Sequence, residues 1–115
     1  MSSLDVTAFY ADWSAADLPA LVARLHPQVD WPEPWSGGRL HGPAAVAGHL
    51  ADQRRDVRFT VVPLRVVQTH QAAVVTVHQV VRDADGDPLS DTTVLHTLTL
   101  DDGLVRQLDV GEPPP

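Results

Sequence analysis

Apolar positions recur at helical spacing through the first half of the chain and alternate through the second, with the change of period near residue 56. Over residues 4–14, Leu4, Ala8, Tyr10 or Ala11, and then Ala15 lie roughly a helical turn apart, and Ser2 or Ser3 is placed to cap the start. Asp17 caps a second predicted helix over 18–25, whose Leu18, Leu21, Val22 and Leu25 make one stripe before His26-Pro27 stops it. These two helices form a hairpin. An extended segment follows, with Val29, Trp31 and Glu33 on one face and Asp30 on the other, because side chains alternate along a strand. Gly42-Pro43 then opens a third helix to about residue 52, with Val46 and Leu50 facing the core and residues 52–56 forming a charged, exposed exit.

Beyond that exit, 57–67, 72–82, 92–100 and 104–110 read as four successive strands rich in Val, Thr and Leu. The stretches 83–88 and 101–103 carry the Asp, Gly and Pro chemistry of hairpin connections, as does the break at 68–71, so an antiparallel meander is expected. The fold class is α+β: three N-terminal helices packed on the concave face of a curved antiparallel sheet, as one domain over 1–112 with a disordered proline tail at 113–115. Strand parity sorts two histidines. His96 shares the apolar set Val94, Leu98 and Leu100 and is expected to face the interior, whereas both faces of 72–82 are apolar and parity alone does not place His78. A sheet apolar on both faces needs a second cover, which points to a homodimer through the outer sheet face.

Composition narrows the function classes. At 115 residues, 43% hydrophobic, the chain can build one modest core. A net charge of −7, with eight scattered arginines and no lysine, argues against nucleic-acid binding. The absence of cysteine excludes disulfides, thiolate metal sites and a cysteine nucleophile. There is neither a basic, then apolar leader nor a long uninterrupted apolar run, so a soluble cytoplasmic protein without membrane contact is expected. Lysine, asparagine and isoleucine are all missing, which points to a gene from a high-GC bacterium.

The segment Trp31-Pro32-Glu33-Pro34-Trp35 carries the sharpest candidate chemistry. Each proline fixes its own φ and biases the preceding residue toward extended geometry, so Glu33 is aimed by a stiff backbone. In an apolar pocket its pKa would rise and make it a candidate general base; the alternative is a solvated turn carboxylate. Tyr10, Trp13, Trp31 and Trp35 are candidate linings of core and pocket mouth, with Tyr10 or Trp13 able to give one donor to a ligand. His78, His96 and Glu33 could in principle make a facial metal site, but no close-spaced ligand motif supports it, and neither metal nor cofactor is expected. His26, His41, His49 and His70 fall in turns or on helix surfaces and are assigned no chemistry. No nucleophile elbow, phosphate loop or dinucleotide fingerprint is present.

In this order, Ala15-Ala16-Asp17-Leu18, Leu25-His26-Pro27-Gln28-Val29-Asp30-Trp31 and Arg39-Leu40-His41-Gly42-Pro43 resemble the NTF2-like superfamily, and within it the SnoaL-like branch. The resemblance runs from about Leu4 to Val110 and implies a cone enclosing a small apolar cavity. Members include ketosteroid isomerase, polyketide cyclases, limonene-epoxide hydrolase, dehydratases and noncatalytic binding modules. The resemblance puts Glu33 where ketosteroid isomerase has its general base, His96 where it has an oxyanion donor, and His78 on a pocket-facing strand. It also puts His96 and Asp109 where polyketide cyclases line their pocket. Phe9, rather than Tyr10, aligns with the isomerase's tyrosine, so that enzyme's oxyanion hole is not reproduced. The implied function is a cofactor-free acid/base enzyme of isomerase, cyclase or hydrolase type, acting on a small hydrophobic carbonyl compound or epoxide. Glu33, His96 and Asp109 would be catalytic, and Tyr10, Trp13, Trp31, Trp35 and His78 would bind the ligand. The alternative is a noncatalytic small-molecule-binding or dimeric interaction module of the same fold.

Overall fold

Asp5 starts the first helix, its carboxylate accepting a hydrogen bond from the Ala8 N–H at 3.0 Å, so the cap is Asp5 and neither serine expected for it. In this computed structural model, which describes residues 3–33 and 37–113, α1 is Val6–Ala15. Trp35 and the last two prolines of the expected disordered tail lie outside the described residues. The core-facing stripe of α1 is Val6, Phe9 and Tyr10, buried, with Trp13 half-buried, at i, i+3, i+4 and i+7, a different face from the small alanines the sequence suggests. Asp17 caps α2 (Leu18–Val22) through a bond from the Ala20 N–H.

The second helix is shorter than expected because Leu25 pairs with Val105 and already belongs to β1 (Leu25–Glu33), with His26-Pro27 inside the strand. A strand not foreseen, β2 (Gly38–His41), pairs antiparallel with β1 from Asp30↔His41 to Glu33↔Gly38. Gly42 follows at φ 89°, a left-handed geometry that favours glycine, and its N–H reaches the Val29 carbonyl at 2.8 Å. The third helix, α3 (Pro43–Asp56), continues through residues 52–56 because Gln53, Arg54 and Arg55 are good helix formers and Gln53 is buried beside Val46 and Leu50.

The remaining strands are β3 (Val57–Gln68), β4 (Ala72–Asp83), β5 (Pro88–Asp101) and β6 (Leu104–Gly111). They form the antiparallel meander expected, and the full sheet order is β2-β1-β6-β5-β4-β3. One pairing departs from the antiparallel reading: β1 runs parallel to β6. The cause is the route of the chain, which leaves β1 through β2 and α3, enters the sheet at its far end, and meanders back to lie beside β1. β5 begins before residue 92 because its early residues pair in backbone register with Val80, Val81 and Arg82 whatever their side chains.

The helices cover the inner face, where Phe9, Tyr10, Leu21, Val29 and Val46 meet Val61, Val75, Val77, Leu98 and Leu108 in one core cluster. Among the described residues, no helix is long and apolar enough to cross a membrane. A bulge in β3 shifts the register between Pro63 and Arg65. It swaps the parity of the strand, so that Val67 joins Val62 on the outer face, opposite Val74 of β4.

Ser14 fastens the end of α1 to β3, the last strand in the sheet order. Its hydroxyl donates to the Val61 carbonyl at 3.0 Å and accepts from the Val61 N–H at 2.9 Å. Removing that hydroxyl leaves two half-buried backbone groups without a partner. Ser14→Ala is expected to lower the unfolding free energy by about 1–3 kcal/mol, read from urea denaturation; a change near zero would mean that water replaces the hydroxyl without cost.

Candidate functional site

A cavity of about 160 Å³ lies between α1, α3 and the inner face of the sheet. Its walls are aromatic and aliphatic: Trp13 from α1, Trp31 from β1, Leu50 from α3, Phe59 from β3 and Leu108 from β6. The two indoles lie 5.0 Å apart between ring centroids, and Phe9 packs edge-on to both from behind. Into this apolar shell the sequence sets four polar side chains: His49 and Gln53 from α3, Gln79 from β4 and His96 from β5.

His96 is the chemical centre of the cavity. It is fully buried, and the Trp13 ring lies nearly parallel to it at 5.7 Å. Its Nδ1 is 2.8 Å from the Tyr10 hydroxyl, while its Nε2 is buried with no hydrogen-bond partner among the described residues. Burial disfavours the charged imidazole and pushes its pKa down to about 4, so the ring is neutral at pH 7. Burial acts on Tyr10 in the opposite sense, raising its pKa and keeping the phenol protonated. The result is an uncharged, buried hydrogen-bonding ring with one nitrogen unspent.

Glu33 ends β1 on the same side as Val29 and Trp31 and lines an adjoining cavity of about 360 Å³ with His49, Asp52, Gln53, Asp56 and Val57. His49 and Gln53 line both cavities, so they form the partition between Glu33 and the aromatic box. Carboxylates dominate this second opening, with Glu33, Asp52 and Asp56 among its lining.

The structure brings together Trp13, Trp31 and His96, and places Glu33 at the neighbouring opening. It does not bring His78 or Asp109 to either cavity. His78 pairs in register with Val62 and Thr93 on the outer face of the sheet, and its Nε2 meets Asp91 Oδ1 at 2.6 Å. Asp109 is opposite Thr97 and also faces outward, accepting from Gln107 Nε2 at 2.9 Å with Arg39 3.4 Å away. The inward positions of β6 are Leu108 and Val110, opposite Leu98 and His96. Tyr10 is corrected too: its hydroxyl is turned to His96 and does not line the cavity.

His49, Gln53 and Gln79 were passed over in the sequence. Their signal was present, since 46, 49, 50 and 53 form one helical stripe and 75, 77 and 79 one strand face. Polar residues on a core-facing stripe mark a cavity wall. Among the described residues, no group of three or more His, Cys, Asp or Glu converges to hold a metal ion.

Residues 6–108 match the SnoaL-like domain family. No curated protein sequence matches the chain. Similar solved structures include TerC co-crystallised with polyporic acid, at 21% identity and a TM-score of 0.79 over 94% of this chain and 88% of that one. An NTF2-like protein of unknown function from Burkholderia pseudomallei K96243 superposes at 0.79, with 20% identity over 94% of this chain and 87% of that one. A limonene-epoxide-hydrolase-like epoxide hydrolase from M. tuberculosis superposes at 0.77, with 21% identity over 91% and 77%. At these identities the likeness is one of fold.

The buried neutral ring has a cost that depends on pH. Unfolded, His96 takes up a proton near 6.5; folded, it resists until about 4, so protons favour the unfolded chain between those values. Stability is expected to fall as pH drops from 6.5 to 4, by on the order of 3 kcal/mol from this residue. His96→Gln should flatten that part of the profile in urea denaturation at stepped pH, and an unchanged slope would mean that the folded ring is reached by solvent protons.

Proposed function

The chain belongs to the SnoaL-like domain family, and on that premise we propose that it is a cofactor-free acid/base enzyme acting on a small hydrophobic carbonyl compound or epoxide. The observation that carries this reading is the unpartnered Nε2 of a neutral, fully buried His96 in an aromatic cavity. A buried donor without a partner is costly to keep, and a ligand oxygen placed there would satisfy it. With a carbonyl compound, the Glu33 carboxylate takes a proton from the carbon beside the carbonyl. The C–H electron pair forms a new C=C bond, and the carbonyl π pair moves onto oxygen, where the His96 N–H stabilises the developing charge. Returning the proton at another carbon gives isomerisation, and attack of the enolate carbon on a second carbonyl gives cyclisation. With an epoxide, Glu33 takes the proton from an attacking water while His96 donates to the departing ring oxygen.

Two of the similar structures support this class of ligand, one in complex with polyporic acid and one an epoxide hydrolase. A noncatalytic binding module is the second reading, favoured by one observation: Glu33 and His96 open on different cavities, with His49 and Gln53 lining both. Asp109 and His78 have no role in either. The same proposal includes a second copy of the chain on the outer sheet face, where Val62, Val67 and Val74 stay exposed.

Acetophenone in D₂O separates the two readings without knowledge of the natural substrate. The enzyme should accelerate deuterium exchange of its methyl protons by NMR, and Glu33→Gln should lose about 10²–10⁴-fold of that acceleration while still binding the ketone. Binding with no exchange in the wild type would select the binding module. Sedimentation should give a dimer for the wild type and a monomer for Val67→Asp; a wild-type monomer would reject the second copy.

A further inference from the structure

The Tyr10 hydroxyl meets His96 Nδ1 from behind the ring as seen from the cavity, which Tyr10 does not line. We propose that Tyr10 is a positioning residue that locks His96 as an Nε2–H donor, so that the cavity selects small apolar ligands that present a lone pair there and no hydrogen. This rests on the small-ligand reading above and deepens it to a specificity rule.

A neutral imidazole carries one N–H, on Nδ1 or on Nε2, and the bond made at one nitrogen decides which. The Tyr10 hydroxyl is fully buried 2.8 Å from Nδ1. If Nδ1 held the hydrogen, it would donate to the phenol oxygen, and the phenol hydrogen would need an acceptor of its own. The other rings packed on Tyr10 are those of Phe9 and Trp13, and neither offers one. The satisfied arrangement has the phenol donating to Nδ1, which leaves the ring hydrogen on Nε2. Trp13, tilted only 17° from the imidazole plane, and Tyr10, tilted 24°, hold the ring from turning over.

Nε2 is thus a fixed donor with no partner among the described residues, on a ring that burial keeps neutral at pH 7. A ketone, aldehyde, quinone or epoxide oxygen completes it. A ligand that offers only an N–H at that point meets another N–H, and both stay buried without an acceptor. Aromatic walls from Trp13, Trp31 and Phe59 accept a flat apolar body in either case, and the other polar lining groups, His49, Gln53 and Gln79, each both donate and accept, so the one-way contact at Nε2 carries the discrimination.

Acetophenone and indole test this directly, because they match in heavy-atom count while one only accepts and the other only donates. In ¹⁵N-labelled wild type at pH 7, long-range ¹H–¹⁵N correlation should show His96 Nε2 protonated and Nδ1 bare. Acetophenone should bind more tightly than indole by on the order of tenfold, the worth of one buried neutral hydrogen bond. Tyr10→Phe should populate both tautomers and bring the two affinities within about twofold. A protonated Nδ1 in the wild type overturns the proposal, as does an unchanged tautomer and preference in Tyr10→Phe. The wild-type spectrum decides the lock even if that variant does not fold. Failure of both probes to bind a wild type with the expected tautomer would instead count against the small-ligand reading.

Discussion

The hydrogen bond between the Tyr10 hydroxyl and His96 Nδ1 joins α1 to β5 through the middle of the core, across 86 positions of sequence. Both side chains are fully buried, and each would carry a desolvation penalty of about 1–3 kcal/mol if left without a partner. A slide or rotation of α1 by one residue would orphan both. The bond therefore sets the depth and rotation of the helix on the sheet more sharply than apolar contact can, since apolar contact tolerates small shifts. Trp13 and Phe9 follow from it, because they share the helix face with Tyr10, and only at that rotation does Trp13 reach the cavity with Phe9 packed behind it.

Once α1 is fixed, the cavity is what remains between its aromatic face and the curved sheet. The bulge at Pro63 and Arg65 and the positive-φ turn at Gly42 set the outline, one by bending β3 and the other by sending the chain from β2 into α3. A leucine at position 96 would fill the same space without burying a ring nitrogen. That a polar ring stands there, supported on one side and unpartnered on the other, is the kind of local cost that folded proteins carry at sites of recognition.

Much of this was legible in the sequence. The change of period near residue 56, the Asp17 and Gly42-Pro43 helix starts, and the Asp- and Gly-rich turns located three helices and the four-stranded meander. The parity of Val94, His96, Leu98 and Leu100 placed His96 inside. What escaped was decided by contacts distant in sequence. No local pattern in 25–33 says that this strand lies parallel to 104–111, and Leu25 reads equally well as the end of a helix. Asp109 and His78 were carried inward by family resemblance, although the Leu108 and Val110 parity already pointed Asp109 outward. The Tyr10 role was hidden because the tyrosine and its partner lie at opposite ends of the chain. His49 and Gln53 continue the Val46 and Leu50 stripe, but a polar residue on a helix is expected to face water, and Gln53 falls in the charged segment that reads as an exposed exit beyond the helix.

The parallel seam between β1 and β6 has a kinetic side. Strand β1 is made before the meander, yet among the described residues its neighbours in the sheet are the short β2 and β6, the strand of this sheet that is made latest. Until then Val29 and Trp31 have no inner face to complete, and α1 has no β5 histidine to bond. Closing so long a loop carries a large entropy loss before any contact returns it, which slows the nucleation step. The nascent chain thus passes through an interval in which two indoles and an unpaired strand are open to other chains. That is a window in which a holding chaperone would matter to yield although the finished fold does not need one.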